Sequence, residues 1–318
     1  KLSERNRQLL KNSVLSLKLA DKEHDDIIST LKTRYSDQLN RLKQLNNEDV
    51  FQLYINALAE LYDPHTNYFS PRNSENFNIN MRLSLEGIGA MLKREGEYVT
   101  VERLVTAGPA EKQGELQPND KIISVAQGEN AAVVDVVGWR LDEVVDLIRG
   151  EKGSTVVLGV LSEASANPNL TKQISIVRNT VKLEEQSASK TVLEILHQDK
   201  LRKLGVISIP TFYIDFEGSR RGDPNYKSTT RDVKKLIAEL KDEQVEGIII
   251  DLRGNGGGSL QEVNQLTGLF VERGPVVQIR TANGSIQRQA NYPNPNYYRQ
   301  PIAVLIDRLS ASASEIFA

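Results

Sequence analysis

The sequence predicts a multidomain α+β protein: an N-terminal helical region, then a small β module, then an α/β core. Three observations lead there. The first eighty residues place apolar side chains three and four apart, the period of a helix face. From about Leu83 to Val160 short β-rich runs alternate with turn residues. Beyond about residue 203 strands and helices alternate, the order of a layered α/β domain with a largely parallel centre. The expected domains are 1–80, 81–180 and 181–318, and 318 residues are enough for each to bury its own core.

In the first region, Ile28, Leu31, Tyr35, Leu39 and Leu42 mark one amphipathic helix. Phe51, Tyr54, Leu58 and Leu61 mark a second, opening near Asn47 and closed off by Pro64 and Pro71. Their apolar faces are expected to pack. In the β module, Ala90–Lys93 and Tyr98–Val105 flank an Arg-Glu-Gly turn and suggest a hairpin. Lys121–Val125 follows Pro118-Asn119-Asp120 as a strand, Trp139–Ile148 is helical, and Thr155–Val160 is a strand after Lys152-Gly153. The polar stretch from Ser162 to Thr171 is expected to loop out before a strand at Ile174–Arg178. In the core, Leu204–Ile209, Val245–Leu252, Val276–Arg280 and Ile302–Ile306 read as strands, with helices at Thr229–Leu240 and Leu260–Val271. The unbroken apolar run Val245–Leu252 predicts burial on both faces.

Composition excludes several functions. A net charge of −2, with scattered aromatics and no basic stripe, gives no footprint for nucleic acid or an anionic membrane. With no cysteine there is no disulfide, thiolate metal site or cysteine nucleophile. The three histidines (His24, His65, His197) lack metal-ligand spacing, so no metal or other cofactor is expected. No apolar stretch approaches a membrane span. The polar, basic start shows no signal peptide, as expected of a chain beginning after a removed leader or inside a longer protein.

Two segments share one design: a buried strand, a small-residue loop, then a helix start. One is Ile248-Ile-Ile-Asp-Leu-Arg-Gly-Asn-Gly-Gly-Gly-Ser259, the other Val304-Leu-Ile-Asp-Arg-Leu-Ser-Ala-Ser-Ala-Ser-Glu315. Open α/β sheets bind ligands where strands end and helices begin, and helix N-termini there offer unpaired N–H groups. Ser259-Leu-Gln-Glu262 and Ser312-Ala-Ser-Glu315 both match the capping box. Ser312 admits two readings: a helix cap, or a nucleophile whose oxyanion is held by the Ala313 N–H and one from Gly256-Gly257-Gly258. The nucleophile needs a proton acceptor, and neither His65, His197 nor any particular lysine offers itself. Rival motifs are weak. The glycine loop lacks the Lys-Ser/Thr of a phosphate loop, and a dinucleotide fingerprint fails at Ser259. There is no Gly-x-Ser-x-Gly elbow. Arg221-Gly-Asp and the glycosylation-like Asn283-Gly-Ser are short enough for chance, and Asn283-Gly284 reads better as a hairpin turn.

Four ordered landmarks resemble the tail-specific (C-terminal processing) serine proteases, in particular their large periplasmic branch in Gram-negative bacteria. They are Asp63-Pro-His-Thr-Asn-Tyr68, Gly-Ile-Gly-Ala at 87–90 followed by Gly-Pro-Ala-Glu-Lys-Gln-Gly at 108–114, Asp-Leu-Arg-Gly-Asn-Gly-Gly-Gly at 251–258, and Ser-Ala-Ser-Ala-Ser-Glu-Ile at 310–316. The match runs from about residue 45 to the end. The second pair of segments resembles a PDZ domain, and the core would be of the ClpP/crotonase-like type, cut short at its C-terminal end. The resemblance implies that Ser312 is the nucleophile and that Gly258 and Ala313 supply the oxyanion N–H groups, with Gly257 the weaker match. It also implies a lysine base and a supporting glutamine lying past residue 318, so this chain alone is expected to be inactive.

A PDZ groove takes a peptide as an added strand and holds its terminal carboxylate on backbone N–H groups. Gly87, Ile88, Gly89 and Ala90 would form that loop. Ile88, Leu92, Leu141 and Val144 would line the pocket for the last side chain, or else simply build the module's core. Expected partners are unfolded or C-terminally tagged substrates with nonpolar tails and an envelope lipoprotein adaptor; the expected compartment is the periplasm. The alternative is a PDZ-type peptide-binding scaffold in which Ser312 only caps a helix, and a nucleotide-binding protein is a third, weaker reading.

Overall fold

The computed structural model describes residues 2–162, 171–290 and 298–318. The expected loop at 162–171 therefore lies almost wholly outside the described residues. The chain forms two units, Lys1–Asn73 and Ser74–Ala318.

The first unit is helical: α1 (Leu2–Leu19), α2 (His24–Lys43) and α3 (Asn47–Ala59). Asn46 caps α3 by accepting from the Asp49 N–H at 2.9 Å, while the Asp49 carboxylate accepts from the Asn46 N–H at 3.0 Å. This reciprocal box fixes the helix start. Helix α3 ends before Pro64, and Pro71, expected to close a helix, opens one instead: α4 (Pro71–Arg82). Proline's missing N–H costs nothing in a first helical turn. Packing is also sparser than the amphipathic pattern predicts. Among the described residues of this unit, only Leu17, Ile27 and Leu31, with Val14 against them, form a core. Of the expected α2 stripe Leu31 is buried, while Ile28, Tyr35, Leu39 and Leu42 stay exposed because the α1–α2 contact centres on Ile27 and Leu31; Phe51, Tyr54, Leu58 and Leu61 are exposed as well.

In the second unit, β1 (Ser84–Gly87) leads into a β module: β2 (Ala90–Glu95), β3 (Tyr98–Leu104), α5 (Pro109–Gln113), β4 (Lys121–Ala126), β5 (Val134–Asp135), α6 (Leu141–Ile148), β6 (Thr155–Leu161) and β7 (Thr171–Val177). The sheet order is β2-β3-β4-β6-β7, with β5 on β4. Val99, Val101, Ile122, Val156, Leu158, Ile174 and Ile176 fill its core with Val144 and Ile148 of α6. The buried Arg178 guanidinium donates to Leu147 O and Ile148 O at 3.0 and 2.7 Å, tying the end of α6 to the strand beyond β7. β8 (Asn179–Lys182) then pairs antiparallel with β1.

The core follows: β9 (Ser189–His197), β10 (Lys200–Ser208), α7 (Phe216–Arg220), α8 (Thr229–Asp242), β11 (Gly247–Asp251), α9 (Leu260–Thr267), β12 (Pro275–Arg280), β13 (Ile286–Ala290), β14 (Ile302–Leu305) and α10 (Ala313–Phe317). Its sheet runs β14-β11-β10-β9; β14, β11 and β10 are parallel and β9 is antiparallel. β12 and β13 leave this sheet as a separate hairpin, turned at Gly284 with φ 84°. Ile207, Ile248, Ile250 and Leu252 pack on Val233, Ile237 and Leu240 of α8 and Val263 and Leu266 of α9. Both helices therefore cover one face. Ile249, on the other, is only half-buried, so the two-sided burial predicted for β11 is one-sided.

Candidate active site

β11 and β14 are parallel neighbours, so the loops leaving their C-terminal ends lie side by side. Leu252 N donates to Leu305 O at 2.9 Å, continuing the strand pairing into the loops. The Asp307 carboxylate then accepts from Gly254 N at 3.0 Å and from Leu309 N and Ser310 N in its own turn at 2.9 and 3.1 Å. Those backbone donors hold its pKa below the ordinary carboxylate value. Beside it, the Arg253 guanidinium grips Asp251 at 2.9 and 2.7 Å and lowers that carboxyl too.

The alternating serines divide their work. Ser310 Oγ donates to Leu252 O at 2.8 Å and Ser314 Oγ to Asn255 O at 2.8 Å, so the outer two staple their loop to the glycine loop. Ser312, between them, is exposed. Its backbone sits at φ 55°, ψ −115°, outside the regions open to a residue with a Cβ. Such a conformation costs on the order of 1–3 kcal/mol and persists only where the surroundings over-determine it. Here the two staples do that, together with Ala311 N donating to Asn255 O at 3.1 Å.

Glycine is required opposite. A Cβ on Gly257 would lie 2.8 Å from Ser312 Cβ and 3.1 Å from Ala313 N; one on Gly258 would lie 2.4 Å from Phe212 O. Both have φ well above zero, 110° and 141°, where side chains are disfavoured.

The N–H groups facing this contact are almost all spent. Gly257 N donates to Asn255 Oδ1 at 2.8 Å and Ser259 N to Phe212 O at 2.8 Å. Ser312 N donates to Glu315 Oε2 at 2.7 Å and Ser314 N to Ala311 O at 3.1 Å. Between each pair one donor is left: among the described residues neither Gly258 N nor Ala313 N makes a hydrogen bond. The arrangement can hold one oxyanion next to the Ser312 hydroxyl.

Sequence reasoning missed the residues that build this geometry: Asn255, Asp307, and the outer serines as ties. The legible signal was Asn255 between glycines, since Asn in a turn bonds nearby backbone groups. The second box is only half made. Ser259 Oγ accepts from Glu262 N at 3.3 Å, but the buried Glu262 carboxylate turns to Ser228 Oγ (2.8 Å) and Thr230 N (2.7 Å) instead of its own cap. Ser259 N is already bonded to Phe212 O, so the return bond has no donor. Burial pushes the Glu262 carboxyl pKa up, and its Oε1 has no partner. His197 lies at the β9–β10 turn, and among the described residues no lysine or histidine hydrogen-bonds to Ser312.

In the β module, Ile88 O accepts from Ala110 N and Gly89 O from Val105 N, each at 2.8 Å. The loop's carbonyls are thus turned away, and Gly89 takes φ 74°. Ile88 N and Gly89 N make no hydrogen bond among the described residues. Ile88 and Val144 are buried in the module's core, while Leu92 and Leu141 are half-buried at its edge. No group of His, Cys, Asp or Glu among the described residues is placed to hold a metal, and no described helix is long and apolar enough to cross a membrane.

A helical region, a small β module and an α/β domain with a serine–glycine site define a class, the PDZ-containing proteases. Residues 1–72 match the tail specific protease N-terminal domain, 76–161 the PDZ domain and 203–318 peptidase family S41. The chain is 40% identical over 309 residues to the tail-specific protease of Haemophilus influenzae, covering 97% of this chain and 41% of that protein. It is 32% identical over 305 residues to the carboxy-terminal processing protease CtpB of Bacillus subtilis, covering 94% and 57%. These residues belong to the tail-specific branch of peptidase family S41, and the chain spans about half the length of the relatives it matches. Among solved structures, the PDZ domain of a carboxy-terminal protease from Vibrio cholerae, in complex with peptide, is 48% identical over 32% of this chain and all of that one (TM-score 0.30). A photosystem II D1 C-terminal processing protease is 25% identical over 86% and 67% (TM-score 0.40).

Proposed function

We propose that the protein is a serine endopeptidase that selects substrates by nonpolar C-terminal tails. One observation carries the catalytic half: an exposed serine in a strained backbone conformation, flanked by the unspent N–H groups of Gly258 and Ala313. Ser312 Oγ attacks the scissile carbonyl, and the carbonyl oxygen, now negative, moves between those two donors. Such donors stabilise the transition state more than the substrate because charge develops only there. The proton from Ser312 passes to a lysine past residue 318 and from it to the leaving amine. Water then repeats the sequence on the acyl-enzyme, releasing the acid and restoring Ser312.

Gly87-Ile88-Gly89-Ala90 receives the substrate's terminal carboxylate, and Leu92 and Leu141 contact its last apolar side chain above Ile88 and Val144. The free Ile88 and Gly89 N–H groups support this reading. Unfolded envelope proteins are the proposed substrates, the periplasm the compartment, and a lipoprotein the proposed adaptor.

The test pairs intact mass with cleavage of an unfolded substrate bearing an apolar tail, using protein expressed at the full length of its relatives. Cleavage lost in Ser312→Ala, with tail-peptide affinity unchanged, is the expected result; cleavage retained would refute the assignment. A second reading is a peptide-binding scaffold, favoured by the Ser312–Glu315 cap. A fluorophosphonate that labels Ser312 excludes it.

A further inference from the structure

Asn255 is fully buried, yet every polar group it has is used. Its Nδ2 donates to Ile209 O and its Oδ1 accepts from Gly257 N, each at 2.8 Å. Its N donates to Leu252 O at 3.1 Å, and its O accepts from Ala311 N at 3.1 Å and Ser314 Oγ at 2.8 Å. The side chain needs a donor toward β10 and an acceptor toward the glycine loop, a pairing that only an amide meets at this length.

We infer that Asn255 is a positioning residue for the hydrolytic site: its side chain decides which glycine N–H is left for the oxyanion, and its carbonyl holds the turn that presents Ser312. The inference rests on the proposed nucleophilic role of Ser312. Gly257 and Gly258 offer consecutive N–H groups, and neither has a side chain to fix its peptide plane. Consuming the Gly257 N–H locks that plane, which leaves the Gly258 N–H free to act with Ala313 N. The next plane, which carries the Gly258 N–H, has its carbonyl held by Phe212 N at 2.9 Å and Thr211 Oγ1 at 3.0 Å. Without the amide the Gly257 N–H is freed, and only those two bonds keep the Gly258 donor in register with Ala313 N. The Asn255 carbonyl brackets Ser312 by bonding the residue before it and the second residue after it. The glycine loop and the nucleophile turn therefore move as one body.

The experiment uses the protein at its relatives' full length, with Asn255→Ala, Asn255→Asp, Ser314→Ala and Ser312→Ala. An oxyanion donor is worth roughly 100- to 1,000-fold in kcat, and a misplaced one costs less. Asn255→Ala is expected to lower kcat about 10- to 100-fold with KM for the tailed substrate within about twofold. Affinity for a peptide boronate, which forms a tetrahedral adduct on the serine, should fall in parallel. Asn255→Asp keeps the acceptor for Gly257 N and should recover part of the loss. If Asn255→Ala does not fold, Ser314→Ala, which removes only the bond to Asn255 O, must show the same kcat-selective loss in milder form.

A kcat within about twofold of the parent, or a loss carried by KM, would overturn the inference. So would a boronate affinity that does not follow kcat. Cleavage surviving in Ser312→Ala would instead overturn the nucleophile assignment, so the two failures are told apart.

Discussion

Gly256, Gly257 and Gly258 are adjacent, yet the structure predicts different outcomes for alanine at each. At Gly256 the added methyl meets nothing within 4 Å and φ is unexceptional. Gly256→Ala should leave stability within about 0.5 kcal/mol, or raise it by up to about 1 kcal/mol through the unfolded state. At Gly257 the methyl would lie 2.8 Å from Ser312 Cβ with φ at 110°. Backbone strain of about 1–3 kcal/mol adds to overpacking of about 1–3 kcal/mol, together about 2–6 kcal/mol. At Gly258 the obstacle is the Phe212 backbone at 2.4 Å and φ is 141°. The cost reaches at least the same range, since a main chain cannot swing aside. For a unit of this size each kcal/mol moves Tm by about 2–4 °C. Thermal unfolding of the three variants, with cleavage by the full-length protein, gives the comparison. Gly257→Ala and Gly258→Ala should lose kcat as well as Tm. If all three melt together, or Gly258→Ala keeps full kcat, the close-approach argument is wrong.

Ser312→Gly relieves the φ of 55° and should raise stability by about 1 kcal/mol while abolishing cleavage, the trade-off expected of a strained functional residue; an unchanged or lower Tm refutes the strain. Asp307 has a folded pKa below its ordinary 3.8, so its contribution is present above that value and is lost as pH falls through the folded pKa. Asp307→Asn should therefore show a shallower loss of Tm than the parent below about pH 4, read by unfolding scans across acid pH. Glu262 is the opposite case. Burial raises its folded pKa above 4.5, so its contribution is greatest below the unfolded value and declines as pH rises through the folded one. Glu262→Gln should gain on the parent in Tm as pH climbs from about 4 to 7, and a constant difference would show that Glu262 does not titrate there.

Much of the architecture was legible because periodicity reports burial. The short apolar runs of β3, β4 and β6, set off by turn residues, and the helical stretch of α8 follow from such patterns. The limits are physical too. The run of isoleucines in β11 implied two covered faces, but a sequence does not say that α8 and α9 choose the same side. The stripe Ile28–Leu42 marked a helix, while which of its residues meet α1 depends on rotation about the axis: Leu31 does, beside Ile27, and the others do not. At the site, Ser312, Ala313 and the glycines stood out by their small size and spacing. Asn255 and Asp307 did not, because their bonds run to backbone groups that any residue provides. Only the folded chain shows that Asn255 meets Ala311 and Ser314.

The ties between the two loops also carry a kinetic meaning. The bond from Ser310 to Leu252 spans 58 residues and that from Ser314 to Asn255 spans 59. Neither loop can take its working shape locally, since each is the other's scaffold. Closing such a span costs chain entropy before any contact returns it, so the pairing comes after β11 and β14 have docked. A partly folded chain has Ser312 but not the loop pairing around it. The site is therefore a property of the folded sheet and of neither loop alone.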